Sequence, residues 1–104
     1  QVGRTLALMH RQPQQDWSIA ELASEAGMSR SAYAARFTAL VGQPAGQYLA
    51  QWRLQLARAQ LLETRQSVSA VARWAGYQSE AAFGRAFKQF FGMPPGSVRR
   101  SGVA

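Results

Sequence analysis

The chain has 104 residues, 47% of them hydrophobic, with twelve basic side chains against five acidic ones and no cysteine. That length and apolar content fit one small folded domain or two smaller lobes, and exclude a disordered chain. The missing cysteine excludes disulfide staples, thiolate zinc sites and a cysteine nucleophile, and suits a reducing cytoplasm.

Eleven of the basic residues are arginine, and the net charge is +7. Guanidinium forks match phosphates and guanine edges, so the expected partner is a polyanion, and nucleic acid above all. No apolar run approaches about 18 residues and no signal-peptide pattern is present, so no membrane span is expected. The chain opens at Gln1 rather than Met, and reads as a piece of something longer.

Residues 2–11 carry Val2, Leu6 and Met9 at helical spacing. Pro13 ends that segment, and Asp16 with Trp17 leads into the next. Ser18 is a good N-cap, and Glu21 completes a capping box three residues on. Ile19, Leu22, Ala23 and Ala26 form the inner face of this short helix, and Gly27 stops it. Ser29 caps a second helix, running to about Val41, with Tyr33, Phe37 and either Leu40 or Val41 facing inward. Gly42 ends it.

A long helix follows from about Ala45 to Thr64. Leu49, Trp52, Leu56 and Ala59 form its main apolar stripe, with Leu54 and Leu61 beside it. Then the pattern restarts. Ser67 caps a short helix with Val68, Val71, Ala72 and Ala75 inward and Gly76 at its stop. Ser79 caps the next, with Phe83, Phe87 and either Phe90 or Phe91 inward and Gly92 at its stop. Pro94 and Pro95 introduce a short last turn.

The two halves repeat one another. Ser18 pairs with Ser67 and Gly27 with Gly76, at an offset of 49; Ser29 pairs with Ser79, Phe37 with Phe87 and Gly42 with Gly92, at an offset of 50. The extra residue falls between the stop glycine and the cap serine, so both helices of each unit keep their register. Each unit is a short helix, a glycine turn and a second helix with an aromatic inner face, the helix-turn-helix pattern. In that pattern the second helix lies in a major groove and presents its first residues to base edges.

The expected architecture is all-α, with two helix-turn-helix subdomains joined by the long helix. Residues 1–44 form the first lobe with its leading helix, 45–64 the linker, and 65–104 the second lobe and tail. On helical position, Arg30, Ser31, Ala34, Ala35 and Thr38 face outward in the first unit. In the second, the outward set is Glu80, Ala81, Gly84, Arg85 and Lys88.

The strings SIAELASEAGMSRSAYAARF, GQYLAQWRLQLA, SVSAVARWAGYQSEAAFGRAFKQFFG and PGSVRR resemble the DNA-binding domain of the AraC/XylS family of bacterial transcription regulators. The run G-Y-x-S-E-x-x-F-x-R-A-F-K carries the resemblance most specifically. Ala45 stands where that family usually has proline, and Val98 where it usually has tyrosine. The resemblance implies about seven helices and two recognition helices entering successive major grooves on one face of a duplex. Their centres would lie roughly 34 Å apart, one DNA turn, unless the DNA bends. It also implies a missing N-terminal half for effector sensing or dimerisation, RNA polymerase as a further partner, and a cytoplasmic, nucleoid-associated protein.

The base-contact positions of the family fall on Ser31, Ala34 and Ala35 in the first unit and on Arg85 in the second. The two alanines offer only apolar contact to a thymine methyl, whereas Arg85 can fork onto guanine O6 and N7. Glu80, Ala81 and Gly84 complete the base-facing set. Glu80 either accepts from cytosine N4 or complements the helix dipole. Arg30, Arg53, Ser79, Lys88 and Arg99 are phosphate candidates, with Arg100 beside Arg99. Arg36 is another, or an ion-pair partner of Glu21 or Glu25.

The aromatic residues are expected in the core, with Trp74 partly exposed, and His10 as a helix-end residue. One histidine and no carboxylate cluster make neither a metal site nor a catalytic triad, so no cofactor and no enzymatic activity are expected. The competing reading is a basic all-α module that docks a protein, for example RNA polymerase, without reading DNA sequence.

Overall fold

The computed structural model describes residues 1–12, 15 and 17–102, with side chains as far as Arg99. Pro13, Asp16 and the Arg100 side chain lie outside the described set. The described residues form seven helices. They are α1 (Val2–Arg11), α2 (Ile19–Glu25), α3 (Arg30–Val41), α4 (Ala45–Glu63), α5 (Val68–Trp74), α6 (Glu80–Phe91) and α7 (Pro95–Gly102). The tail after Pro94 is thus an eight-residue helix rather than a short turn.

The chain divides into two compact units, Gln1–Trp52 and Arg53–Ala104. In the first, Val2 and Met9 of α1, Leu22 and Ala23 of α2, Tyr33 and Phe37 of α3, and Ala45 and Leu49 of α4 share one apolar core. In the second, Leu54, Ala57 and Leu61 of α4 pack with Val71, Ala72, Phe83, Phe87 and Val98. Ala45 and Val98, the two departures from the family pattern, are both core residues.

The caps work as the serines imply. The Ser18 hydroxyl accepts from the Glu21 amide at 3.0 Å, and the Ser18 amide donates to the Glu21 carboxylate at 3.0 Å. Ser29, Ser67 and Ser79 accept from the amides of Ala32, Ala70 and Ala82. Gly27 and Gly76 follow α2 and α5 at φ +68° and +93°, a conformation in which a Cβ would strain the backbone.

The two turns begin alike. Met28 N–H donates to Ala23 O at 2.9 Å, and Tyr77 N–H to Ala72 O at 3.0 Å. Met28 and Tyr77 are equivalent, as are Ser29 and Ser79. The extra residue is therefore Gln78, which is exposed.

In the long helix the residues expected beside the main stripe are the more deeply buried ones. Trp52, Leu56 and Ala59 are only half-buried, and the fully buried line beyond Leu49 is Leu54, Ala57 and Leu61. Five residues separate Leu49 from Leu54, about 140° of rotation around the helix. The helix serves two cores, so its buried face restarts between them.

Where the sequence left two choices, Val41 and Phe91 pack against their cores. Leu40 is 65% exposed and Phe90 37%. Trp74 is half-buried against the second core, as expected.

Candidate nucleic-acid interface

The buried aromatics fix which side of each second helix faces out. Tyr33 and Phe37 are buried at i and i+4 of α3, as are Phe83 and Phe87 of α6. With that side held in the core, the opposite side is presented to solvent.

On α3 this side carries Arg30, Ser31, Ala34, Ala35 and Thr38, all exposed. The Thr38 hydroxyl donates back to the Ala34 carbonyl at 2.9 Å, so α3 offers mainly short side chains. On α6 the matching side carries Glu80, Ala81, Arg85 and Lys88, exposed, and Gly84, half-buried. At an offset of 50, Arg30 faces the same way as Glu80, Ser31 as Ala81, Ala34 as Gly84, Ala35 as Arg85 and Thr38 as Lys88. One scaffold thus presents two different sets of side chains.

Arg30, Arg36, Arg85 and Lys88 form no ion pair among the described residues. The alternative pairing of Arg36 with Glu21 or Glu25 does not form; Glu25 instead lies 4.0 Å from Arg4 of α1. Ser79 uses its hydroxyl oxygen as the cap of α6, with its O–H proton left to donate. Glu80 occupies the first turn of α6, where its charge complements the helix dipole.

Two phosphate candidates lie off these faces. Arg53 is half-buried beside the α5–α6 turn; a Cβ on Gly76 would sit 3.7 Å from its Nη1. Its charge also counteracts, in part, the upward push that burial gives the Tyr77 hydroxyl.

Arg99 has a structural partner of its own. Its Nε donates to the Leu61 carbonyl at 3.1 Å and its Nη2 to the Thr64 carbonyl at 3.3 Å. The last carbonyls of α4 have no intrahelical partner, and a cation beside them also meets the negative end of the helix dipole. The guanidinium thus caps the end of α4.

Charge is unevenly shared. The first unit has four arginines against three acids, and the second has seven arginines and a lysine against two acids, giving net charges of +1 and +6. Arg65, before α5, and Arg73, in its last turn, are both exposed and contribute to this excess, and sequence reading passed over both. The count of charges in each half was the signal that could have found them. His10 lies in the last turn of α1, and its Nε2 is 2.8 Å from the Tyr48 hydroxyl.

Two capped, glycine-stopped helix pairs, each presenting one face of its second helix, define a helix-turn-helix protein with two heads. A model of the helix-turn-helix domain family matches residues 22–101. A putative AraC-like transcription regulator of Streptomyces lividans is 46% identical over 99 residues, 95% of this chain and 33% of that protein. The regulator AlkR of Acinetobacter baylyi is 39% identical over 101 residues, 96% of this chain and 33% of that protein.

Among solved structures, the DNA-binding domain of AdpA in complex with a target DNA superposes with a TM-score of 0.91 at 27% identity. That match covers 96% of this chain and 90% of that one. A regulator from Chromobacterium violaceum shares the fold, with a TM-score of 0.92 at 22% identity over 98% of this chain and 91% of that one.

The chain belongs to the AraC-type helix-turn-helix family, the DNA-binding domain of AraC-like transcription regulators. It spans about a third of the length of these curated relatives.

Proposed function

We propose that this domain reads duplex DNA sequence with both heads, α3 and α6 each entering a major groove. The observation that carries this reading is the pair of register-matched exposed faces, with Arg85 free at the centre of the second. Arg85 is the base-reading residue, forking onto a guanine. Ser31, Ala34 and Ala35 read by short contacts, a hydroxyl and methyl surfaces. Ala81 and Gly84 let the α6 backbone come close to the base edges, with Glu80 at its start.

Arg30, Arg36 and Lys88 meet phosphates, with Ser79 and the α6 N-terminus adding backbone N–H donors. The +6 charge of the second unit suits it to supply most of the salt-dependent affinity. AdpA, bound to its target DNA, supports the reading by its similarity.

The wider protein would carry an effector or dimerisation domain, act in the cytoplasm at the nucleoid, and contact RNA polymerase. Among the described residues no helix is long and apolar enough to cross a membrane. Selection of sites from a random duplex library tests the proposal. Enriched sequence blocks support it, and equal binding to all sequences contradicts it and favours a protein-docking module.

A further inference from the structure

Apart from tyrosine, Thr5 is the one polar side chain buried among the described residues. Its hydroxyl donates to the Val2 carbonyl at 2.7 Å and lies 2.9 Å from the Tyr33 hydroxyl. The single Thr5 proton goes to Val2, so Tyr33 donates to Thr5. Among the described residues this is the one side-chain to side-chain hydrogen bond between buried residues, and it joins α1 to α3.

The second unit solves the same packing problem without a hydroxyl. Leu54, Ala57 and Leu61 repeat the i, i+3, i+7 spacing of Val2, Thr5 and Met9. By that spacing Ala57 corresponds to Thr5, and at the offset of 50 Phe83 corresponds to Tyr33; both are buried in the second core. A polar pair in one unit is an apolar pair in the other.

The outer faces explain why the units differ. Ser31, Ala34 and Ala35 reach only a methyl or a hydroxyl beyond the backbone, so their contacts depend on where the α3 backbone lies. Sites of this kind need placement to roughly 0.5 Å. Arg85 has a long flexible stem and can absorb a small shift of α6. Apolar packing holds α6 well enough; α3 needs a bond with direction.

We propose that Thr5 and Tyr33 are positioning residues for the first reading head, which makes α1 a working part of that head. The inference rests on the DNA-reading function proposed above. Its test is site selection by the full chain, with thermal melting alongside, for wild type, Arg85→Ala, Tyr33→Phe, Thr5→Ala, Thr5→Ser and Thr5→Ala/Tyr33→Phe. The sequence block that survives Arg85→Ala belongs to the first head.

Tyr33→Phe leaves Thr5 bonded to Val2 and the core filled. It should melt close to wild type yet lose severalfold discrimination in the first block, with the Arg85 block unchanged. Thr5→Ala strands the buried Tyr33 hydroxyl and should melt lowest. The double variant, which copies the second unit, should recover melting but not discrimination, and Thr5→Ser should keep both.

Wild-type discrimination in the first block of Tyr33→Phe would overturn the inference. So would a wild-type profile with only the Arg85 block, which leaves DNA reading intact. A wild-type profile with no block at all removes the DNA reading and this inference together.

Discussion

Arg99 of α7 donates from Nε to the Leu61 carbonyl of α4 at 3.1 Å, closing a contact between residues 38 apart in sequence. A second bond, to Thr64 O at 3.3 Å, completes the cap. Arg99→Ala should therefore cost about 1 kcal/mol of stability. It should leave the salt dependence of DNA binding unchanged. Thermal melting and a salt titration read the two effects separately. An unchanged melt with a shallower salt slope would return Arg99 to the phosphate set.

Arg85 and Lys88 lie one turn apart on α6 but should fail differently. Arg85→Ala should cost about 1–3 kcal/mol at one base pair and relax the sequence preference there. Lys88→Ala should weaken binding to every sequence alike and reduce the salt slope by about 0.9. Titrations of selected and scrambled duplexes at several salt concentrations check both. Swapped behaviour would exchange the two roles.

Two glycines make opposite predictions. Gly84 lies inside α6, where an added Cβ meets no atom within 4 Å. Gly84→Ala should raise stability by about 1 kcal/mol. Because its backbone is proposed to approach DNA, the same change should weaken specific binding. Gly27, at φ +68°, should lose about 1 kcal/mol as alanine, through strain in the left-handed turn. Denaturant unfolding of both variants gives the signs, and tighter DNA binding by Gly84→Ala would remove the close-approach role.

Burial pushes the Tyr33 hydroxyl above its ordinary value of 10.0. Burial also pushes up Tyr77, partly offset by the Arg53 charge. A raised pKa keeps the proton bound in the folded state where the unfolded chain has lost it. The stabilisation is thus complete below pH 10.0 and declines as pH rises through the folded values. Unfolding followed from pH 8 to 11 should show that decline, and Tyr33→Phe should make it shallower. A slope unaffected by Tyr33→Phe would show that this hydroxyl does not contribute.

The serine caps, the stop glycines and the inward aromatics were readable because each is a local signal at fixed spacing. So was the outward face of each recognition helix, which follows once Phe37 and Phe87 point inward. Other features depend on distant chain. Thr5 does not look like a core residue until Tyr33 is placed beside it, and Arg99 does not look like a cap until α7 meets the end of α4. The width of the apolar surface of α4 was readable, but the line Leu54, Ala57 and Leu61 becomes the buried one only once the second core is assembled on it. Choosing Val41 over Leu40 needed the packed unit, since both fit a helical repeat.

The most direct measurement of the central claim is site selection from a random duplex library by the wild-type domain and by Arg85→Ala. The account predicts two enriched blocks about one DNA turn apart, one of them containing a guanine whose enrichment Arg85→Ala abolishes. No enrichment with the wild-type domain, or an unchanged profile with Arg85→Ala, would contradict it.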